Sequence, residues 1–162
     1  MIEHADTDRE IADCYEVMAE LRPHVTREQF LPLVRSMQAD GYRLACIRDG
    51  GSVVAVAGYR FGTNLFAGRH LYVDDLVTAD SERSKGHGRE LLAWMQALAV
   101  ESGCDVFHLD SGVQRKRAHA FYLREGMELS SYHFSVRPKP RWALARPLRA
   151  ADSRACPRPH PR

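Results

Sequence analysis

Apolar residues recur along the first 130 residues at two different spacings, and each change of spacing marks a new element. Intervals of three and four residues predict a helix over Arg9–Leu21, with Thr7 or Asp8 as its N-cap, and a second helix that begins after Thr26. Pro23 keeps the two helices apart. The apolar residues on their buried faces are Ile11, Tyr15 and Met18 in the first helix, and Phe30, Val34 and Met37 in the second.

Strand-like runs surround these helices and two later ones. "MIEHA" predicts a first strand, and "YRLACI" with "SVVAVAGYRF" predicts a hairpin around the turn "RDGG". "HLYVDDLVT" (70–78) is a further strand, followed by a helix over Gly88–Ser102 that Gly103 ends. "DVFHLDS" is a strand, Arg115–Glu125 a helix, and "MELSSYHFSV" the last one or two strands. The order βααβββαβαβ predicts an α/β fold around one mixed sheet.

Charge is distributed unevenly along the 162 residues. From Arg137 onward, eight Lys or Arg side chains accompany a single Asp, and six of the eight prolines lie in the same stretch. We therefore expect one domain over residues 1–136 and a flexible, basic, Pro-rich tail over 137–162. No aromatic stacking platform or DNA-reading motif accompanies the basic residues, so nucleic acid is not an expected partner.

The four cysteines lie far apart and form no CxxC pair, so we expect reduced thiols rather than disulfides or a zinc site. The histidines also lack metal-ligand spacing. No apolar run approaches the roughly 20 residues that cross a bilayer, and the start "MIEHADTDRE" lacks the apolar core of a signal peptide. These features predict a cytoplasmic protein without a bound metal and without a membrane partner.

The segment "SERSKGHGREL" (81–91) joins a predicted strand to a predicted helix. The first turn of a helix leaves N–H groups without partners, and the helix dipole favours negative charge there. Gly86 and Gly88 let backbone amides approach a phosphate, and Arg83, Lys85 and Arg89 add positive charge. The spacing R-x-x-G-x-G fits neither the dinucleotide pattern GxGxxG nor the triphosphate loop GxxxxGK[ST]. It predicts a site for another phosphate-bearing ligand.

A second segment, "AHAFYLREGM" (118–127), follows about thirty residues later. Together the two segments resemble the GNAT superfamily of acyl-CoA N-acyltransferases, in which the loop grips the coenzyme A pyrophosphate and a later helix carries A-x-x-[LF]-Y-x-x-x-G-[FM]. The residues that match this helix pattern are Ala118, Phe121, Tyr122, Gly126 and Met127. The resemblance covers residues 1–136. It implies a mixed, mostly antiparallel sheet of six to seven strands flanked by four helices.

The resemblance also implies acetyl-CoA as co-substrate, with its pantetheine arm paired to the backbone of residues 76–78 and a strand amide polarising the thioester carbonyl. The residues expected at the coenzyme are Leu76, Val77, Thr78, Arg83, Ser84, Lys85, Gly86, His87, Gly88, Arg89, Arg115, Ala118 and Phe121. Two of them depart from the family pattern. Arg115 stands where Asn is frequent, and Ser84 stands where Gly is common.

The implied chemistry is direct transfer of an acetyl group from a thioester to an amine in a ternary complex. An ammonium with a pKa of about 10.4 costs roughly 4.6 kcal/mol to deprotonate at pH 7, so a carboxylate must attract it and accept its proton. Asp74 and Asp75 are the candidates, and strand alternation predicts that only one of them faces the cleft. Tyr122 matches the family's general acid, which donates a hydrogen bond or proton to the departing thiolate.

"LYVDDLVT" resembles the diamine acetyltransferases, and "RAHAFYLREGMELSSYHF" resembles the small aminoalkylphosphonate acetyltransferases. The acceptor expected from this resemblance is a primary amine on a small molecule. Arg60, Arg69 or His133 are candidates to bind a carboxylate or phosphonate on it. A protein or peptide lysine as acceptor, with the basic tail at the partner, and a non-catalytic coenzyme A-binding module are the alternatives. Homodimers are frequent in the family.

Overall fold

The computed structural model describes residues 1–138, which form five β-strands and five α-helices. The strands are β1 Ile2–His4, β2 Tyr42–Asp49, β3 Ser52–Asn64, β4 Gly68–Thr78 and β5 Val106–Leu109. The helices are α1 Asp8–Asp13, α2 Tyr15–Leu21, α3 Arg27–Ala39, α4 His87–Glu101 and α5 Lys116–Arg124. A 3₁₀ turn over Asp80–Glu82 connects β4 to the segment before α4.

The strands form one sheet in the order β1-β2-β3-β4-β5. Neighbouring strands are antiparallel except β4 and β5, which are parallel and whose pairing ends at Val73 and Leu109. The β2–β3 hairpin turns at Gly50 and Gly51, where φ is +54° and +85°. Positive φ at both central residues suits a two-residue hairpin loop, because that backbone matches the twist of the strands.

Helices cover both faces of the sheet, and the sheet separates the core into two parts. On one face, Ile11 and Phe30 from the first three helices pack with Val77 of β4. On the other face, Leu91 and Met95 of α4 pack with other strand residues. The two-sided burial explains why the middle of β3 is apolar at successive positions rather than alternating.

Two Thr residues cap helices at positions where the sequence predicts helix starts. The hydroxyl of Thr7 accepts the backbone N–H of Glu10, and the hydroxyl of Thr26 accepts that of Gln29. Each of these partner side chains accepts the N–H of its Thr in return, which makes two capping boxes. The helix predicted over residues 9–21 is divided at Cys14, so the described chain has five helices instead of the expected four.

A bulge interrupts the pairing of β3 and β4. Gly58 pairs with Asp75 and Tyr59 with Val73, so Asp74 has no counterpart on β3. In a regular strand, Val73 and Val77 would face the same side, yet they pack in the cores on opposite faces. The alternation expected between Asp74 and Asp75 therefore does not hold, because the extra residue reverses the side of the sheet that the following side chains face.

The predicted last strand, "MELSSYHFSV", is not formed: residues 127–136 have no regular secondary structure. The sheet of the described residues therefore has five strands instead of six to seven. An alternating pattern supplies the faces of a strand but not the hydrogen-bonded neighbour that a strand needs. A first compact unit ends at Leu129 and a second begins at Ser130. The flexibility predicted for 137–162 concerns a stretch that lies, from residue 139, outside the described residues.

Cys14 and Cys46 are buried free thiols, and Cys104 is a half-buried one. Cys156 lies outside the described residues. Within residues 1–138, no group of His, Cys, Asp and Glu side chains is arranged to hold a metal ion, and no helix is long and apolar enough to cross a membrane.

Candidate active site

A cleft of about 750 Å³ lies between the end of β4, the start of α4 and helix α5. It brings together both sequence segments that carry the resemblance. The predicted residues that line it are Leu76, Val77, Thr78, Arg83, Ser84, Gly86, His87, Gly88, Arg89, Arg115, Ala118, Phe121 and Tyr122. Of the residues expected at the coenzyme, Lys85 alone is absent from the described lining. Asp74 and Asp75 precede Leu76, the first residue of β4 in the lining.

Helix α4 begins at the cleft without a side-chain cap from the described residues. Its N-cap is Gly86, which has φ +95° and allows the chain to turn sharply into the helix. The N–H groups of the first turn thus have no side-chain partner at the N-cap, and the positive end of the helix dipole coincides with them. This arrangement favours an anion.

Gly88, in the first turn of α4, lies in close contact with two other elements. A Cβ added there would lie 3.3 Å from Oγ1 of Thr78 and 3.9 Å from Phe121. The glycine therefore lets the helix start, the end of β4 and α5 approach one another. Any side chain at this position would take space at the point where these elements meet.

Carboxylates hold the basic side chains around the cleft. Nζ of Lys85 lies 2.8 Å from Oε2 of Glu82, and Nε2 of His87 lies 3.7 Å from the same oxygen. The hydrogen bond between Lys85 and Glu82 holds the pKa of the Glu82 carboxyl below its usual range and raises the pKa of Lys85. Arg83 pairs with Asp80 in the same way. The positive groups are thus positioned by ion pairs within the loop itself.

Arg89 connects α4 to the last turn of α5. Its Nε lies 3.1 Å from Oε2 of Glu125, whose other oxygen lies 3.3 Å from Nε of Arg124. Glu125, Arg89 and Arg124 all line the cleft. The pair is exposed at its arginine end, so it contributes little to stability, but it places two guanidinium groups at the cleft.

Tyr122 lies on α5 next to Phe121, with ring centroids 5.3 Å apart. Burial raises the pKa of the Tyr122 phenol, and the nearby charge of Arg115 opposes the rise. The phenol consequently keeps its proton through the neutral range and is available as a hydrogen-bond donor. Both Tyr122 and Arg115 line the cleft.

The two aspartates at the bulge of β4 are each bound by an arginine. Asp75 is 8% exposed, and its carboxylate accepts hydrogen bonds from Nε of Arg22 (2.7 Å) and from the hydroxyl of Tyr42 (2.9 Å). Burial, followed by the charge of Asp75, raises the pKa of Tyr42. Asp74 accepts a hydrogen bond from Nε of Arg60 at 2.8 Å.

Tyr42 lies beneath this pair of carboxylates. A Cβ added at Gly58 would lie 1.9 Å from the Tyr42 hydroxyl oxygen, so the ring occupies the space above a glycine of β3. The guanidinium carbon of Arg60 lies 5.7 Å from the centroid of the Tyr42 ring. Asp75 thus binds the Tyr42 hydroxyl, and Asp74 binds the arginine that lies over the Tyr42 ring. That only one of the two faces the cleft stays a prediction.

Four residues of this region that precede β3 in the chain were not predicted from the sequence. Glu20 and Leu21 line the cleft, and a carboxylate oxygen of Glu20 accepts the backbone N–H of Asp80 at 2.8 Å. Arg22 and Tyr42 hold Asp75. No motif marks these residues, because each contact joins positions more than thirty residues apart. The sequence placed Glu20 and Leu21 at the end of the first predicted helix and carried no further signal for their role.

A family model described as "Acetyltransferase (GNAT) family" matches residues 6–127. The chain belongs to the GNAT family. N-acetyltransferase YhdJ of Bacillus subtilis (strain 168) is 35% identical over 127 residues, covering 77% of this chain and 89% of that protein. Aminoalkylphosphonate N-acetyltransferase of Salmonella typhimurium is 33% identical over 95 residues, which cover 58% of this chain and 60% of the relative.

Solved structures share the fold of this GNAT chain. A complex of AAC(6')-Iy with a CoA-containing bisubstrate analogue matches 86% of this chain and 98% of its own, with 14% identity and a TM-score of 0.75. Glucosamine-6-phosphate N-acetyltransferase from Arabidopsis thaliana matches 85% and 97%, with 22% identity and a TM-score of 0.63. Family and relatives together identify the chain as an acetyl-CoA-dependent N-acetyltransferase.

The backbone at Ser84 generates a stability prediction. Ser84 has φ +67°, a left-handed conformation that costs an L-residue roughly 1–2 kcal/mol. We expect Ser84→Gly to raise the free energy of unfolding by about 0.5–1 kcal/mol, after the greater chain entropy of glycine is deducted. Urea denaturation followed by circular dichroism measures the difference. Ser84→Ala, which keeps the Cβ, is the matched control and gives no such gain. Equal effects of the two substitutions would contradict the strain at this position.

Proposed function

We propose that the protein transfers the acetyl group of acetyl-CoA to a primary amine of a small molecule by direct attack. The observation that carries this proposal is the meeting of both family segments in one cleft, at a helix start without a side-chain cap. The glycine loop supplies the anion site. Helix α5 supplies Tyr122 to the same cleft.

The residues of the cleft suit coenzyme A. The start of α4 binds the diphosphate through its free N–H groups, and Arg83 and Arg89 add positive charge. Gly88 keeps the helix start close to Thr78, which leaves the backbone of residues 76–78 beside the same cleft. Acetyl-CoA supplies the activated thioester, and the side chains bind it, orient it and handle protons.

Asp74 is the carboxylate that we assign as the proton acceptor for the amine, directly or through a water. One of its oxygens binds Arg60, and 22% of its side chain is exposed. Asp75 is less suited, because its oxygens already accept hydrogen bonds from Arg22 and Tyr42 and its side chain is 9% exposed. Asp75 is therefore a positioning residue that holds Arg22 and Tyr42 beside the bulge.

Tyr122 is assigned to the departing sulfur. With a phenol pKa of about 10 and a thiol pKa of about 8.5, full proton transfer is uphill by roughly 2 kcal/mol. Burial raises the pKa of Tyr122 and makes complete transfer harder still. The phenol therefore acts first as a hydrogen-bond donor to the growing negative charge on sulfur, and the proton moves late.

A small-molecule acceptor is favoured over a protein lysine by the relative whose name specifies an aminoalkylphosphonate substrate. A release assay for free thiol, with purified protein, acetyl-CoA and a panel of polyamines, aminophosphonates, amino acids and lysine peptides, tests this choice. Truncation after residue 139 leaves activity on a small amine intact, whereas activity on a protein partner of the basic tail falls. Coenzyme binding without turnover on any acceptor would support the non-catalytic module instead.

Removal of the Tyr122 hydroxyl tests its role. We expect Tyr122→Phe to lower kcat by about 10²-fold, because the leaving thiolate loses its hydrogen-bond donor. The affinity for acetyl-CoA, measured by calorimetry, stays the same because the ring still fills its place beside Phe121. Steady-state thiol release gives kcat. An unchanged kcat would show that the tyrosine only packs.

Conservative amide variants distinguish the roles of the two aspartates. We expect Asp74→Asn to lower kcat/KM by about 10²-fold at pH 7, with the deficit shrinking as pH rises because more of the amine is already neutral. We expect Asp75→Asn to lower the free energy of unfolding by about 1–3 kcal/mol, because Arg22 and Tyr42 lose a charged acceptor. Rate–pH profiles and urea titrations of both variants measure these effects. A catalytic loss in Asp75→Asn at unchanged stability, with normal turnover in Asp74→Asn, would reverse the assignment.

A further inference from the structure

Two arginines lie beside the β4 bulge, each fixed through its Nε by a different one of the adjacent aspartates. Nε of Arg22 lies 2.7 Å from Asp75, and Nη2 of Arg22 donates a hydrogen bond to the backbone carbonyl of Asp74 at 2.9 Å. Nε of Arg60 lies 2.8 Å from the Asp74 carboxylate. Paired carboxylates on a strand therefore act here as anchors for two guanidinium groups.

This cluster begins where the cleft lining ends. Leu21 and Leu76 line the cleft, and the cluster residues Arg22 and Asp75 are their immediate neighbours in the chain. Tyr42 closes the cluster on the side of the sheet, where it bonds Asp75 and lies under the guanidinium of Arg60. The arginine side chains remain 41% and 32% exposed, so neither is sealed within the core.

The hydrogen-bonding capacity of the cluster is unbalanced toward donors. A guanidinium carries five N–H donors. Within the described residues, side-chain hydrogen bonds engage Nε and Nη2 of Arg22 and Nε of Arg60, and neither Nη1 group has a partner. Both oxygens of Asp75 already accept hydrogen bonds. Oδ2 of Asp74 binds Arg60, which leaves Oδ1 for a cation.

The net charge of the cluster also bears on which ligand it can bind. Two aspartates and two arginines sum to zero, so the cluster has no net attraction for a polycation such as a polyamine. It offers an acceptor oxygen for an ammonium at Asp74 and spare N–H donors for an anion at the arginines. A small zwitterion, with an amine and an acidic group a few bonds apart, complements both halves.

We propose that the acceptor amine carries an anionic group, a carboxylate or a phosphonate, and that Arg22 and Arg60 bind this group while Asp74 faces the amine. The inference rests on the proposed function, since it names the acceptor class of that site. Arg69, the other arginine considered from the sequence, lies at the opposite end of β4 and donates to the carbonyl of Ser102.

The test compares acceptors that differ in the anionic group. Initial rates are measured with the full chain, acetyl-CoA and 2-aminoethylphosphonate, β-alanine or the neutral β-alaninamide. We expect kcat/KM for the better of the two anionic acceptors to exceed that for the amide by at least about tenfold, the effect of one charged hydrogen bond. The ratio between phosphonate and carboxylate identifies which group the arginines bind.

Arginine variants test which side chains discriminate between the anionic acceptors and the amide. Arg22→Gln and Arg60→Gln each lower the ratio of kcat/KM for the preferred anionic acceptor to kcat/KM for the amide by about tenfold or more. Arg35→Gln is the matched control, because Arg35 binds Asp8 on the surface, and its loss alters none of these values. Thermal unfolding checks each variant. If Arg22→Gln does not fold, Arg60→Gln, whose partner is more exposed, carries the test.

The outcomes separate this inference from the proposed function. Equal turnover of the amide and the anionic acceptors, or arginine variants that weaken both alike, would overturn the anion site and leave small-amine acetylation standing. Preference for polyamines would do the same. Absence of turnover across these acceptors and the wider amine panel, in a protein that binds acetyl-CoA, would overturn both.

Discussion

The start of α4 is the feature on which the rest of the site depends. Gly86 turns the chain with a positive φ, and no side chain of the described residues caps the helix that follows. In a helix of fifteen residues, the N-terminal N–H groups and the aligned peptide dipoles then favour a negative ligand at one end. Gly88 keeps the end of β4 and helix α5 within reach of the same point. We propose that coenzyme A, which has a diphosphate and an extended arm, uses both properties.

The bulge in β4 imposes the second constraint. It shifts the strand by one residue between two buried segments that face opposite cores, and it lets both aspartates approach Tyr42. A regular strand would have placed one of them on the other side of the sheet, within an apolar core. Two arginines accompany the two carboxylates, which fits the cost of burying a charge without a partner. The cluster at the bulge is thus mixed in charge, while the charged residues that line the cleft are mainly basic.

Local signals in the sequence allowed much of this to be predicted. The capping residues Thr7 and Thr26, the Gly-Gly hairpin turn and the glycine-rich start of α4 act within a few residues of themselves, so single stretches reveal them. The residue spacing around Tyr122 indicated the GNAT family. The site residues assigned from these motifs line one cleft with the exception of Lys85 and the two aspartates.

The remaining features depend on contacts between distant positions. The bulge is a property of the register between β3 and β4, and the partners of Asp75 lie 33 and 53 residues away in the chain. Alternation in the sequence predicted opposite sides for Asp74 and Asp75 because it assumed a regular strand. It also predicted a last strand over "MELSSYHFSV", where the faces alternate but no ladder forms. Strand pairing cannot be predicted from one segment because it depends on a second one, whereas a helix cap depends on a few neighbouring residues.

Calorimetric titration of the protein with acetyl-CoA and with acetyl-pantetheine, which lacks the nucleotide and the diphosphate, tests the central claim most directly. If the start of α4 holds the diphosphate, acetyl-CoA binds at least about tenfold more tightly than the truncated thioester, and the difference narrows as salt is added. Equal affinities for the two thioesters, or no heat of binding with acetyl-CoA, would contradict the account.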